Sequence, residues 1–322
     1  MMIASDEFSF INWLRQQPLA DSRVILGPGD DTAILRNPKR DLLLTTDLLM
    51  DGVDFHLHQA DPQAIGHKAM AANLSDIAAM AGEPLAALVA LALPTSAATS
   101  ARIIAEKLML GIRELADRFA VSIVGGDTNS WNQGLAICIT ILGQVGPRGA
   151  VRRSGACPGN WIFVTGPVGG SIRGRHLKPT PRIREALRLQ ELGPLTAMID
   201  ISDGLAADLA HILEESRCGA VLHADQIPIH PDAYALATET GKTPLYHALN
   251  DGEDFELIFT TTPEVGKRFC EMEISPGLTL YKIGECVASG YWLEHPTGRT
   301  PIIPQGWVHP LNKPSDSEST VA

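Results

Sequence analysis

The sequence predicts a mixed α/β protein built as two lobes, and three observations carry that prediction. The chain has 322 residues, more than one hydrophobic core usually organises. Apolar runs of strand length alternate with alanine-rich or amphipathic runs of helix length. A stretch rich in glycine, proline and arginine, GPRGAVRRSGACPGN at 146–160, separates two halves of similar style. The expected division is 1–148 and 149–312, with KPSDSESTVA at 313–322 as a disordered tail.

In the first half, DLLLTTDLLM at 41–50 reads as a buried strand stopped by Asp51-Gly52. DPQAIGHKAMAANLSDIAAMAGEP reads as a helix. Asp61 suits its N-cap, Pro62 its first turn, and Gly82 with Pro84 its end. Its alanines and Gly66 give a slim profile suited to close packing on a sheet. LAALVALAL is a strand, 98–119 a long amphipathic helix, VSIVGGDT a short strand stopping at its glycine pair, and LAICITILG another strand. In the second half, WIFVTGPVGGS runs from strand to glycine-rich turn. AMIDISDGLAADLAHILEESRCG is a strand end, a polar turn and a helix closed by Gly219. LNDGEDFELIFTT is a polar turn then a strand, and 263–272 is helical.

Composition narrows the function. Hydrophobic residues at 45% against 20% charged describe a large core. A formal charge of -11 argues against general affinity for nucleic acid or anionic membranes, though not against phosphates neutralised by metal ions. Cys138, Cys157, Cys218, Cys270 and Cys286 are scattered and never spaced C-x-x-C, the pattern of reduced thiols in the cytoplasm. Asp6 and Glu7 precede any apolar run, so no signal peptide is read. LAALVALALP at 85–94 is too short to span a bilayer.

The acids carry the chemistry. Asp31 follows Gly-Pro-Gly, Asp47 follows Thr45 and Thr46 near a strand end, and Asp76 lies on the slim helix. Asp127 follows a glycine pair, Asp200 and Asp203 flank Ser202 at a strand end, and Glu253 and Asp254 precede a strand. Singly, each reads as an ordinary cap or turn residue. Their repetition at element edges does not, and Asp76 among alanines in mid-helix caps nothing. Buried carboxylates repel unless cations neutralise them. Mg²⁺ is the natural candidate, with hydroxyls and carbonyls at Thr45, Thr46 and Ser202 as further oxygen donors. No His/Cys cluster suggests zinc or iron. Partly hydrated Mg²⁺ held by acids is what a nucleoside triphosphate requires. There is no P-loop and no kinase-type catalytic loop. GPVGGS at 166–171 is a weak glycine signal, and Arg152 and Arg153 read equally as phosphate contacts or as solvated linker charges.

GPGDD, TTDLLMDGVDF, KAMAANLSDIAAMAGEP, VGGDT, RRSGACPGNWIFVTG, DISDGL and GEDFEL occur in this order. From about Phe8 to Trp307 the chain resembles the thiamine-monophosphate kinase family, within the aminoimidazole ribonucleotide synthetase superfamily. The resemblance implies a two-domain α/β (α+β) fold dimerising through a β-barrel of N-terminal domains. It implies ATP and several Mg²⁺ ions in a cleft between domains, and transfer of the γ-phosphoryl group to thiamine monophosphate. Carried over, Asp31, Thr45, Thr46, Asp47, Asp76, Asp127, Asp200 and Asp203 match metal positions, with Asp47, Asp127 and Asp203 as the catalytic set. Gly126, Asp127, Arg153 and Ser202 match nucleotide contacts, and Asp54, Glu253 and Trp307 substrate-facing positions.

Departures bear on the substrate. GVDF puts Asp54 where the family has histidine, with His56 two residues on. GGDTNSW replaces GGDTTR/G, the aromatic residue expected near Met109 is missing, and only IRGRH fills a usually longer segment before LKPTPRI. Two other classes stay open: a superfamily ligase or cyclase acting with ATP on another small substrate, and a non-catalytic nucleotide- or metal-binding paralogue. Selenophosphate synthetase and the hydrogenase-maturation relative are disfavoured, since their N-terminal Cys or Lys and C-terminal Cys have no counterpart here.

Overall fold

The computed structural model describes residues 40–97 and 99–306 and, before them, residue 16, 24–26 and 34–35. Asp31, Trp307 and the 313–322 segment lie outside the described residues. β1 (Val24–Leu26) and β2 (Ile34–Leu35) form a small antiparallel pair.

The first lobe follows as β3 (Leu42–Met50), α1 (Pro62–Ala79), β4 (Gly82–Pro94), α2 (Ala101–Arg118), β5 (Ser122–Trp131) and β6 (Ala136–Val145). Its sheet has the order β3-β6-β4-β5, with β4 and β5 parallel and the other pairs antiparallel. Period-2 alternation sorts β3 into two faces. Leu43, Thr45, Asp47 and Leu49 turn inward and are the more buried set, while Leu42, Leu44, Thr46, Leu48 and Met50 are exposed. α1 lies against β3, β4 and β6 and also against α2.

The slim face of α1 serves the helix contact more than the sheet. A Cβ on Gly66 would sit 2.1 Å from the Leu108 carbonyl oxygen, and one on Gly111 would sit 1.9 Å from that of Gln63. Both glycines therefore let α1 and α2 touch backbone to backbone. Asp61 caps α1 as expected, accepting from Gln63 N. The helix ends earlier than Gly82, because Ala81 adopts a left-handed φ of 50° and Gly82 already begins β4. β5 likewise does not stop at its glycines. It runs on to Trp131 past an irregularity opposite Ala87 and Leu88, and Gly126 is required where a Cβ would meet the Val89 carbonyl oxygen at 1.7 Å.

The second lobe is a seven-stranded sheet made of β7 (Trp161–Val164), β8 (Ala197–Asp200), β9 (Gly219–His223), β10 (Leu257–Thr261), β11 (Tyr281–Val287), β12 (Tyr291–His295) and β13 (Gly298–Pro301). Their order is β13-β12-β9-β11-β7-β10-β8. Helices α3 (Ile183–Leu192), α4 (Leu205–Ser216), α5 (Pro231–Thr240), α6 (Pro244–Asn250) and α7 (Pro263–Glu271) complete it. Arg217, left-handed at φ 54°, closes α4 in place of Gly219. Gly219 is needed instead at the start of β9, where a Cβ would meet the Gly290 carbonyl oxygen at 2.1 Å.

α1 joins the lobes. It contacts α3 and β8 of the second lobe as well as its own sheet. Met70, Leu74 and Ile77 on α1 share one continuous core with Phe163, Leu189 and Phe259. A second core lies on the other side of the seven-stranded sheet, around Ile199, Leu209 and Ile258. Among the described residues no helix is long and apolar enough to cross a membrane.

Candidate active site

A cleft of about 610 Å³ opens between the lobes. From the first lobe it is lined by Asp47 on β3, Asp54 in the turn after it, and Lys68 and Asp76 on α1. The second lobe contributes Asp200 at the end of β8, Ser202 and Asp203 in the next turn, and Glu253 in the loop before β10. Acids up to 206 residues apart in sequence (47 to 253) thus share one space.

Three of them form the deep wall. Thr45 Oγ1 donates to Asp76 Oδ2 at 2.5 Å, and Ser75 Oγ donates to Asp200 Oδ2 at 2.6 Å. Asp47 Oδ2 is buried with no hydrogen-bond partner among the described residues. Burial pushes the Asp47 carboxyl up to about 7, with Asp76, Asp200 and Asp54 adding repulsion. Asp200 is pushed up to about 7 by burial and by Asp76, against the Ser75 bond and the Arg153 charge. Asp76 is raised by burial too, opposed by Thr45 and Arg153. Behind this wall Asp208 accepts from the backbone N–H of Asp203 and Gly204 at 3.1 and 3.0 Å. Burial, Asp200 and Asp203 raise it to about 8.

The donor set suits a hard divalent cation, which takes oxygen ligands and tolerates several waters. Among the described residues no three His, Cys, Asp or Glu side chains stand close enough to hold a metal ion unaided. An ion here would draw the rest of its shell from water or from ligand oxygens. The orphaned Asp47 oxygen and the three carboxyls pushed toward neutrality are what such an ion would relieve.

The opposite wall is built differently. Glu253 Oε1 pairs with Lys68 Nζ at 2.5 Å, and Lys68 also donates to the Asp54 carbonyl oxygen. Asp254 pairs with Arg175 at 2.8 Å and accepts from Gly169 N at 2.7 Å. The IRGRH segment therefore forms two short 3-10 turns, 171–173 and 175–177, that clamp this loop. Glu253 and Phe255 both hold left-handed φ, 61° and 52°, costing roughly 1–3 kcal/mol each. Such strain in two residues out of three is typical of a loop whose side chains must point one way.

Several expected residues lie elsewhere. Strand alternation turns Thr46 to the outer face, where its hydroxyl meets Thr140 Oγ1 at 2.9 Å and the Ile139 carbonyl at 3.1 Å. Gly126 and Asp127 are on β5, at the opposite sheet edge from β3, and do not line the cleft. Asp127 pairs in register with Ala90, hence shares the outer face with Cys138 and Leu48. Within one chain it stands apart from Asp47. Asp54 lines the cleft, but its carboxylate accepts from Met50 N at 2.7 Å, closing its own turn. Arg153 is exposed and near enough to Asp76 and Asp200 to favour their charged forms. Lys68, Ser75 and Asp208 were not anticipated. Lys68, Ala72 and Asp76 line the cleft at i, i+4, i+8, a stripe the sequence does contain. Ser75 and Asp208 look like ordinary helix residues until the fold brings Asp200 to them.

Residues 29–145 match the family described as AIR synthase related protein, N-terminal domain, and 151–291 its C-terminal domain. A curated thiamine-monophosphate kinase from Rhodopirellula baltica is 41% identical over 313 residues, covering 94% of this chain and 97% of that one. The Escherichia coli enzyme of the same name is 35% identical, covering 82% and 85%. Among solved structures, thiamine-monophosphate kinase from Stenotrophomonas maltophilia superposes with a TM-score of 0.76 at 30% identity, over 89% of this chain and 95% of that one. The structure described as AaThiL complexed with AMPPCP and TMP gives 0.72 at 29%, over 95% and 98%. Escherichia coli HypE, a hydrogenase maturation protein, shares the fold at 17% identity with a TM-score of 0.74, over 92% and 96%. On the two matched domains and this full-length similarity, the chain belongs to the AIR synthase related proteins and, within them, to the thiamine-monophosphate kinase family.

Proposed function

We propose that this protein transfers the γ-phosphoryl group of ATP to the phosphate of thiamine monophosphate, giving thiamine diphosphate, in the cleft between its lobes. The observation that carries the reading is the meeting of Asp47, Asp76 and Asp200 with no ion pair to a basic side chain among the described residues, in a chain whose relatives are thiamine-monophosphate kinases. Mg²⁺, when bound there, supplies the positive charge that two mutually repelling phosphates need. Asp47, Asp76 and Asp200 would hold it, with Asp203 and Ser202 at the rim of the same wall. Thr45 and Ser75 fix which oxygens of Asp76 and Asp200 remain free, by bonding the others. The acceptor is already an anionic phosphate, so no strong general base is required. Alignment of donor and acceptor in the cleft does the work. Arg153, exposed beside Asp76 and Asp200, would meet the nucleotide, and Glu253, in the cleft lining, would accept from the thiamine moiety.

Incubation of purified protein with ATP, Mg²⁺ and thiamine monophosphate, followed by chromatography, tests the reading. Thiamine diphosphate is the expected product. Turnover only with another acceptor would replace this reading with the ligase or cyclase alternative. ATP binding without turnover would replace it with the non-catalytic one.

The outer face of the four-stranded sheet supports a homodimer. It exposes Leu44, Leu48, Leu88 and Trp131, an apolar surface of the kind proteins cover. Among the described residues β3 and β5 are the edge strands of this sheet. Two copies closing into a barrel would lay β5 of one along β3 of the other and turn these outer faces inward. Sedimentation of the purified protein should then give a dimer, and Leu44→Glu/Leu88→Glu should give a monomer. A monomeric wild type would remove this arrangement. Free thiols at all five cysteines accord with a cytoplasmic enzyme.

A further inference from the structure

Lys68 is a buried charge on α1, whose other buried residues are apolar or uncharged. It is 1% exposed, yet it is the single basic side chain among the described residues lining the cleft. An ammonium has three donors. One goes to the Asp54 carbonyl in the turn after β3 and another to Glu253 Oε1. Lys68 thereby ties the first lobe to the loop before β10 of the second.

That loop needs no help with its backbone. Glu253 N donates to the Ser202 carbonyl and Phe255 N to the Ile201 carbonyl, both at 2.8 Å. Ser171 Oγ donates to the Gly252 carbonyl at 2.5 Å, and Arg175 with Gly169 N holds Asp254. What these contacts leave loose is the Glu253 side chain, with three rotatable bonds and 30% of its surface exposed to the cleft. Lys68 removes that freedom. It also cancels the Glu253 charge, so that a phosphate-bearing substrate enters without meeting a further uncompensated anion. The second carboxylate oxygen stays free to accept from a donor on the substrate.

We propose that Lys68 is a positioning residue that sets affinity for the acceptor substrate by holding the Glu253 carboxylate in one orientation across the lobe boundary. This rests on the kinase reading above, with thiamine monophosphate as acceptor.

Steady-state kinetics on the full chain test it. Lys68→Met raises the KM for thiamine monophosphate about tenfold or more, while the KM for ATP stays within about twofold. Because Lys68 acts through Glu253, the double variant Lys68→Met/Glu253→Gln matches Glu253→Gln alone to within about twofold. An unchanged KM for thiamine monophosphate, an equal rise in both KM values, or losses that multiply in the double variant would each overturn the proposal. Should Lys68→Met fail to fold by circular dichroism, Lys68→Gln is read by the same criteria, since it keeps a donor for the Asp54 carbonyl but no charge for Glu253. The wild-type control separates the two levels. A wild type that makes no thiamine diphosphate removes the kinase reading and this inference together. A wild type that turns over, beside a variant with unchanged KM, removes this inference alone.

Discussion

On one wall of the cleft Asp76 and Asp200 accept from hydroxyls, Asp47 Oδ2 has no partner among the described residues, and burial drives all three carboxyls toward neutrality. On the other, Glu253 meets Lys68, and behind it the buried Asp254 and Glu256 meet Arg175 and Arg182. Burial raises carboxyls in both places, Asp254 reaching about 7 even beside Arg175, and among the described residues only one place holds ion pairs. The difference lies in what the chain supplies. Where it brings its own cation, the acids serve as scaffold. Where it withholds one, the charge is kept for something that arrives from solution.

The largest effect expected from this contrast is on turnover. Asp47→Asn or Asp200→Asn should lower kcat by roughly a hundredfold or more, because each removes an oxygen ligand from the charge-neutralising wall. Thermal unfolding of the metal-free variants should show no loss of stability, since a repulsion has been removed. A variant that keeps its activity would take that residue out of the site.

Arg182→Met attacks the other wall. Its guanidinium pairs with Glu256 at 2.5 Å, while Thr165 Oγ1 donates to the same carboxylate at 2.6 Å. Stranding that acid should cost about 3 kcal/mol in urea unfolding. A loss no larger than a surface substitution would show that this wall does not depend on its own cations.

Because Asp254 on the other wall is also pushed up to about 7, it is the Mg²⁺ dependence of the pH response that should separate the walls. Asp47 and Asp200 sit at about 7 and Asp208 at about 8, all above the ordinary carboxylate value. A raised folded pKa means the folded state holds protons more tightly than the unfolded chain. These groups therefore favour folding below pH 4 and lose that contribution as pH rises through about 7 to 8. Mg²⁺ competes with those protons, so the rise in Tm on adding Mg²⁺ should be larger at pH 8 than at pH 5. Equal shifts at both pH values would argue that Mg²⁺ does not act at these acids.

The smallest effect concerns a neighbouring pair. Thr45→Val removes the donor to Asp76 and should reduce kcat several-fold, whereas Thr46→Val, on the outer face, should leave kcat within about twofold. Equal losses in both would contradict the face assignment.

Much of this was legible in the sequence because the signals are local. The apolar run at 41–50 reads as a strand whatever surrounds it, and Asp61-Pro62 marks a helix start by its own chemistry. Asp76 stood out because a carboxylate in an alanine-rich helix has no local use. What local reasoning missed depends on partners distant in the chain. Gly82 and Gly219 looked like helix ends, but each begins a strand, and Ala81 and Arg217 take the left-handed conformation instead. Lys68 was invisible because its partner is 185 positions away (68 to 253). Asp127 resembles Asp47 in sequence context, yet its strand lies at the other edge of the sheet and its side chain on the other face. No property of the VGGDT segment announces that placement.

Anomalous scattering from Mn²⁺, in crystals grown with the metal and a non-hydrolysable ATP analogue, tests the central claim most directly. The account predicts metal peaks against Asp47, Asp76 and Asp200, with phosphate oxygens completing the shell and no metal beside Glu253 or Asp254. Peaks confined to other parts of the molecule, with the Asp47 wall bare while nucleotide is bound, would contradict it.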